Sequence, residues 1–173
     1  MASVLCEGRI VARYAKRELP NYQVFDERRY FVAGQQPCVF EVEGVRVGLL
    51  ICEDAWFTTP ANEVKAAGAE LLAVINASPF HVGKGDEREQ AMRERVTQTG
   101  LPLVYAHLVG GQDEVVFEGR SFALNADGSL AGRAPSFVET QFAVDVTRSN
   151  GLRLTASVAS EGSTDSDLWH ALV

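Results

Sequence analysis

Short apolar runs alternate with polar, breaker-rich stretches along the chain, and the period of the pattern changes from one segment to the next. Residues 2–15 carry two runs on either side of Glu7-Gly8, which predicts a hairpin. Residues 16–36 are polar, aromatic and irregular, with Pro20 and Gly34 as breakers, and a structured loop of that length tends to be functional. Residues 37–51 read as a second strand pair turning at Glu43-Gly44. Thr59-Pro60 predicts an N-cap and first helical residue, and Gly68 a C-terminal stop. Residues 71–75 form a buried strand by composition. Asp86 and Glu89 have the spacing of a capping box for a helix ending at Gly100. Residues 101–109 read as a strand, Gly110-Gly111 as a turn, and residues 115–147 as further strands with Asp127-Gly128 in a hairpin turn. Strand–helix–strand alternation beside hairpins implies an α/β layered fold with a mixed sheet or sheets.

The remaining segments bear on domain organisation. Residues 148–164 are polar and read as a linker after a domain spanning 1–147. Residues 165–173 open like a capped helix and stop after about a turn, and such a helix is marginal alone. The chain also starts in the middle of a strand-like run. Both ends lead us to expect a fragment of a longer protein.

Composition narrows the function classes. With 173 residues, 46% hydrophobic and 23% charged, the chain suits one soluble globular domain with a sizeable core. No apolar stretch reaches membrane-spanning length and no leader pattern is evident, so the expected setting is cytoplasmic, with no membrane partner. A net charge of −7 argues against a nucleic-acid backbone as partner. The cysteines Cys6, Cys38 and Cys52 are an odd number in no metal-like spacing, which suits a reducing compartment. Cys6 and Cys38 read as small buried hydrophobes. His81, His107 and His170 make no zinc pattern, so no metal is expected.

Cys52 is different. It follows the apolar run 45–51 and precedes Glu53-Asp54-Ala55-Trp56. The switch marks a strand end, where open α/β folds present their functional groups. A thiol held there is well placed to act as a nucleophile, while the blander reading is an inert buried cysteine. Lys16 ends the run 10–15; alone it reads as a solvated lysine. If its strand neighbours that of Cys52, its ammonium could lower the thiol pKa or stabilise an oxyanion. Trp56 reads as aromatic packing beside the nucleophile loop, and His81 as a surface histidine.

Taken together, these segments resemble a known family. Lys16-Arg17-Glu18-Leu19-Pro20-Asn21-Tyr22, followed by Val24-Phe25-Asp26-Glu27-Arg28-Arg29-Tyr30-Phe31, is similar to the lysine loop of the nitrilase superfamily of carbon–nitrogen hydrolases. More narrowly, it resembles the glutaminase domain of glutamine-dependent NAD synthetases. Cys52-Glu53-Asp54-Ala55-Trp56 resembles the nucleophile motif. Asn76-Ala77-Ser78-Pro79-Phe80, with Gly83-Lys84 and Arg88, resembles the substrate loop. Leu101-Pro102-Leu103-Val104-Tyr105, Gly110-Gly111-Gln112-Asp113-Glu114, Phe117-Glu118-Gly119 and Ser121 follow in the family's order.

The resemblance implies a nitrilase-like α-β-β-α sandwich, truncated at the N-terminus, and a Glu–Lys–Cys triad that hydrolyses L-glutamine. Cys52 would be the nucleophile and Lys16 the triad lysine. Tyr22, Ser78 and Lys84 would bind substrate, and Glu27 would be an accessory acid; its blander reading is a surface carboxylate paired with Arg28 or Arg29. The triad glutamate matches no residue of this chain: Glu7, Glu18 and Glu53 all fall outside its motif. No cofactor is expected in the chain. ATP and Mg²⁺, with deamido-NAD as acceptor of the ammonia, belong to a synthetase domain beyond residues 165–173, and the resemblance also implies a homo-oligomer. Two rivals remain: a stand-alone hydrolase of another small amide, and a catalytically inactive binding or assembly module.

Overall fold

The computed structural model describes residues 1–173 and opens with the expected hairpin, β1 (Ala2–Cys6) and β2 (Arg9–Tyr14). The long loop after it folds one turn of helix, α1 (Glu27–Tyr30), which the pattern does not announce. The second hairpin is β3 (Val39–Val42) and β4 (Val45–Ile51). A 3-10 turn over Cys52–Trp56 leads into α2 (Thr58–Ala66), β5 (Leu71–Asn76), α3 (Lys84–Thr99) and β6 (Leu103–His107). A hairpin of β7 (Val109–Gln112) and β8 (Val115–Glu118) follows, then β9 (Phe122–Leu124) and β10 (Leu130–Arg133). The chain finishes with a hairpin of β11 (Asp145–Ser149) and β12 (Gly151–Thr155), and with α4 (Thr164–Leu172).

Six strands form the central sheet in the order β10-β9-β6-β5-β4-β3. Its middle is parallel, β4 beside β5 beside β6, and the outer pairings are antiparallel. Parallel strands are covered on both faces, which is why Val47, Gly48, Leu49 and Leu50 are all buried in succession. On one face Leu50, Leu72, Val74 and Leu103 pack against Ala61 and Val64 of α2 and Met92 and Val96 of α3. Cutting Leu50 or Leu72 back to Ala would cost about 2–5 kcal/mol. Gly48 permits the close approach of α2: a Cβ there would meet Ala69 Cβ at 2.9 Å and Val64 Cβ at 3.0 Å. On the other face Leu49 packs with Tyr14 from β2, and Val47 and Leu71 with Leu154 from β12. The layers are therefore helices, sheet and a second tier of strands, the nitrilase-like α/β architecture.

Several local expectations change. α2 begins at Thr58, so Pro60 sits inside the first turn, where its lost N–H is harmless. α3 begins at Lys84, and Glu89 is no capping residue: it is buried and accepts Arg133 Nε at 2.6 Å and Nη2 at 2.8 Å. Gly110-Gly111 lies within β7, and the turn falls on Asp113-Glu114, with Asp113 at φ +52°. The polar stretch 148–164 is not simply a linker, because β12 lies in it and Leu154 is buried under the sheet. Cys6 is exposed at the end of β1, whereas Cys38 is buried as expected.

Candidate active site

The carboxyl ends of the three parallel strands open into one cavity of about 690 Å³. Ile51-Cys52, Ile75-Asn76-Ala77 and Ala106-His107-Leu108 form its floor. Those positions are in register, Ile51 opposite Ile75 and Ile75 opposite Ala106, so the strand ends present their residues side by side. Leu19, Phe25, Phe31 and Val32 from the long loop wall it, together with Lys16 and Glu27. Small-molecule sites are mostly apolar with a few placed polar groups, and the carboxyl end of a parallel sheet is their usual place.

Cys52 is the residue at which β4 gives way to the 3-10 turn. Its φ is +47°, a left-handed conformation that a non-glycine residue holds only where its surroundings enforce it. The side chain is buried. Burial pushes the thiol pKa up, and the Lys16 ammonium and the Ala77 backbone N–H pull it back in part. Lys16 donates to Glu27 Oε1 at 2.6 Å, with side-chain exposures of 12% and 23%, so the pair is largely sheltered. Glu27 thus pairs with Lys16 and not with Arg28 or Arg29; Arg28 donates to the Leu19 carbonyl and Arg29 to Asp26. Gly34 fastens the loop from behind, its N–H donating to the Lys16 carbonyl at 2.8 Å. A Cβ at Gly34 would stand 2.2 Å from the Ala15 oxygen.

The residues after Cys52 each reach a different segment. Glu53 accepts the Tyr22 hydroxyl at 2.8 Å, and burial plus this bond push the Tyr22 pKa up to about 12. Asp54 is fully buried and bonded to the stretch around Lys16. Ala55 enters the core. The half-buried Trp56 ring lies 4.6 Å below Lys84 Nζ, a cation–π contact.

Of the residues singled out in the sequence, Cys52, Lys16 and Glu27 meet on the wall of one cavity. Tyr22 does not line it; half exposed, it bonds Glu53, the residue after Cys52. Lys84, bonded to Glu87 at 2.7 Å, and Ser78 do not line it. Ser78 serves as a knot: its Oγ accepts Asn76 Nδ2 and Arg88 Nε, and its carbonyl accepts from Arg88. His81 is exposed and lies away from the cavity.

Four buried polar residues escaped the sequence reading of roles: Asp54, Arg88, His107 and Glu118. Arg88 pairs with Glu118 and holds the Ser78 and Pro79 carbonyls, fixing the loop that brings the Ala77 N–H to the thiol. His107 lines the cavity with its ring nitrogens 2.9 Å from the Gly119 carbonyl and 3.1 Å from that of Ser78. Burial and the Arg88 charge bring its pKa down to about 4 against the two carbonyls, which favour the charged ring; neutral at pH 7, the ring donates to one of them. Position within the motif was the available signal for Asp54 and Arg88; for His107 it was its place at the end of the third parallel strand.

A buried thiol at a strand end, with an ammonium and a carboxylate on the wall of the same cavity, is an arrangement suited to thiol-based hydrolysis. The sequence pattern of the carbon-nitrogen hydrolase family matches residues 4–152, and the chain belongs to that family. It is 45% identical to a glutamine-dependent NAD(+) synthetase of Xylella fastidiosa, a match that covers 100% of this chain and 32% of the relative. The structure of a glutamine-dependent NAD+ synthetase from Acinetobacter baumannii, in complex with ADP, superposes with a TM-score of 0.92 at 36% identity, over 98% of this chain and 32% of that one. An amidase from Nesterenkonia sp. AN1, in which acrylamide has added to the active-site cysteine, superposes with a TM-score of 0.66 at 28% identity, over 74% of this chain and 49% of that one. The chain spans about a third of the length of the curated relatives it matches.

Proposed function

We propose that the chain is the glutaminase part of a glutamine-dependent NAD synthetase, with Cys52 as nucleophile. The observation that carries this reading is the strained, buried Cys52 facing a cavity that also holds the Lys16–Glu27 pair. The 45% identity to a named synthetase over the whole chain supports the choice of amide. In this reading the Cys52 thiol gives its proton to a glutamate that the resemblance puts outside residues 1–173. The thiolate attacks the side-chain carboxamide carbon of L-glutamine, and the carbonyl π electrons move onto oxygen. Lys16 and a backbone N–H after Cys52 stabilise that oxyanion, typically about 3 kcal/mol per donor. The carbon–nitrogen bond breaks and nitrogen leaves as ammonia with the proton taken from the thiol. Water then opens the thioester, returning the thiol and releasing glutamate.

The resemblance assigns substrate binding to Tyr22, Ser78 and Lys84, the last by charge at the α-carboxylate; none of the three lines the cavity that holds Cys52, so this assignment rests on the motif. Trp56 keeps Lys84 tethered to the turn that carries the nucleophile. Leu154 packs under the sheet, which supports a glutaminase body that includes β12. Beyond it, a synthetase domain would consume the ammonia in ATP- and Mg²⁺-dependent amidation of deamido-NAD, and we assign no residue of this chain to that step. A cytoplasmic homo-oligomer suits this reading, and no helix of the chain is long and apolar enough to cross a membrane.

The decisive experiment is Cys52→Ala in the full-length synthetase. Glutamine-dependent NAD⁺ formation should vanish while ammonia-dependent formation persists. Loss of both in a folded variant would refute the division of labour.

A further inference from the structure

Asp54 has no exposed surface, yet its carboxylate is surrounded by four donors. Oδ1 accepts the backbone N–H of Arg17 at 2.9 Å and of Glu18 at 2.7 Å. Oδ2 accepts the Tyr14 hydroxyl at 2.8 Å and the Ile51 N–H at 3.1 Å. The first three donors flank Lys16 in the chain. The fourth belongs to the residue before Cys52. The Arg17 guanidinium goes elsewhere, to Glu63. Asp54 therefore binds main chain and a hydroxyl, not a cation.

An ionised carboxylate accepts only, at about four lone-pair positions, and this set fills them. Burying such a charge is costly unless every site is satisfied, and apolar side chains of similar size could join the segments without that cost. What apolar packing lacks is direction. Four hydrogen bonds fix the position and angle of the backbone on both sides of Lys16 relative to the strand end that carries the thiol.

We propose that Asp54 is a positioning residue that sets the distance between the Lys16 ammonium and the Cys52 thiol. The proposal rests on the pairing of those two groups and not on which amide is cleaved. Lys16, Glu53 and the Ala77 N–H act on the thiol, and Tyr22 and Tyr105 lie within electrostatic reach of it. A mispositioned Lys16 leaves only the Ala77 and Glu53 backbone N–H groups to offset burial and the Glu53 charge, and the thiolate is less stable.

This role has a sign of its own. Removing the Asp54 charge, by itself, would make the thiolate easier to form, because a nearby anion disfavours it. Losing the position of Lys16 does the opposite. The test is the pH dependence of Cys52 alkylation by iodoacetamide in the purified chain, resolved from Cys6 and Cys38 by peptide mass spectrometry. Asp54→Asn keeps the size but presents an –NH₂ to two of the donors. Its alkylation midpoint should rise by about half a pH unit or more. Tyr14→Phe, which removes one of the four bonds and keeps the charge, should give a smaller rise. Val96→Ala, a core truncation on α3, should leave the midpoint in place. In the full-length protein, Asp54→Asn should lower kcat for glutamine by up to about 100-fold while KM changes little, as expected when a reacting group is displaced.

An unchanged or lowered midpoint in folded Asp54→Asn overturns the proposal, as does an equal rise in Val96→Ala. Should Asp54→Asn fail to fold, Tyr14→Phe decides, and an unshifted midpoint there overturns it. Alkylation needs no glutamine, so this outcome stands apart from whether glutamine is the substrate.

Discussion

Lys16 Nζ lies 2.6 Å from Glu27 Oε1, and the pair bridges the end of β2 and the single turn of α1. The irregular loop thereby folds back to bring a carboxylate to the ammonium above Cys52. If Glu27 orients Lys16, Glu27→Gln should cut kcat for glutamine by roughly 10–100-fold and leave KM within a few-fold, since a displaced reacting group loses rate before binding. An exposed ion pair would contribute only about 0–1 kcal/mol. Steady-state kinetics on the full-length protein discriminate, and a wild-type kcat would return Glu27 to the ordinary surface pairs.

Lys16 and Lys84 should separate kinetically. Lys84→Ala is expected to raise the glutamine KM about tenfold with little change in kcat, because a charge on the α-carboxylate acts in ground and transition states alike. Lys16→Ala should chiefly lower kcat, since its ammonium meets charge that develops only in the transition state. An unchanged KM for Lys84→Ala would leave that lysine with only its contacts to Trp56 and Glu87.

The thiol itself offers a pH test. Burial raises the Cys52 pKa and Lys16 lowers it, with burial the larger influence. A raised thiol pKa means less thiolate at neutral pH, so Cys52 in the purified chain should alkylate with a midpoint above that of a cysteine in a short unstructured peptide. Lys16→Met should drive it higher still. A midpoint at or below that of the peptide would mean that burial is not the dominant influence.

His107 should make stability pH-dependent. Its folded pKa is lowered to about 4 from an ordinary 6.5, so between these values the unfolded chain binds a proton that the folded chain refuses. Stability is therefore intact above about pH 6.5 and declines as pH falls towards 4, by up to roughly 3 kcal/mol. His107→Gln, which does not titrate and whose –NH₂ can donate to the Gly119 and Ser78 carbonyls, should flatten that slope in urea melts at pH 7 and pH 5. Equal slopes in both proteins would show that the ring does not titrate in this way.

Much of this was legible in the sequence, and what was not has identifiable causes. Cys52 stood out because an apolar run gives way abruptly to charge. The Lys16–Glu27 pairing did not, because it spans an irregular loop with no period to read. Asp54 was opaque for another reason: three of its four donors are backbone N–H groups, which leave no trace in residue identity. On α3 the buried face includes Arg88, Glu89 and Arg95, so ion pairing disguises a core-facing stripe as a polar one, and the spacing of Glu89 from Asp86 mimics a cap. The β12 strand was readable in principle, since Leu152-Arg153-Leu154 alternates with period two, but its polar surroundings outweighed three residues.

The turn over Cys52–Trp56 sends consecutive side chains to the cavity, to Tyr22, to the Lys16 stretch, into the core and under Lys84. In a 3-10 turn each added residue rotates everything after it by about 120°. An insertion or deletion at any point would therefore redirect all the later contacts at once, whereas a point substitution disturbs only those of its own side chain. Among descendants of this sequence the five positions are free to vary in identity to different degrees, but their number is not, and a library that changes loop length should yield no active member with a turn of four or six.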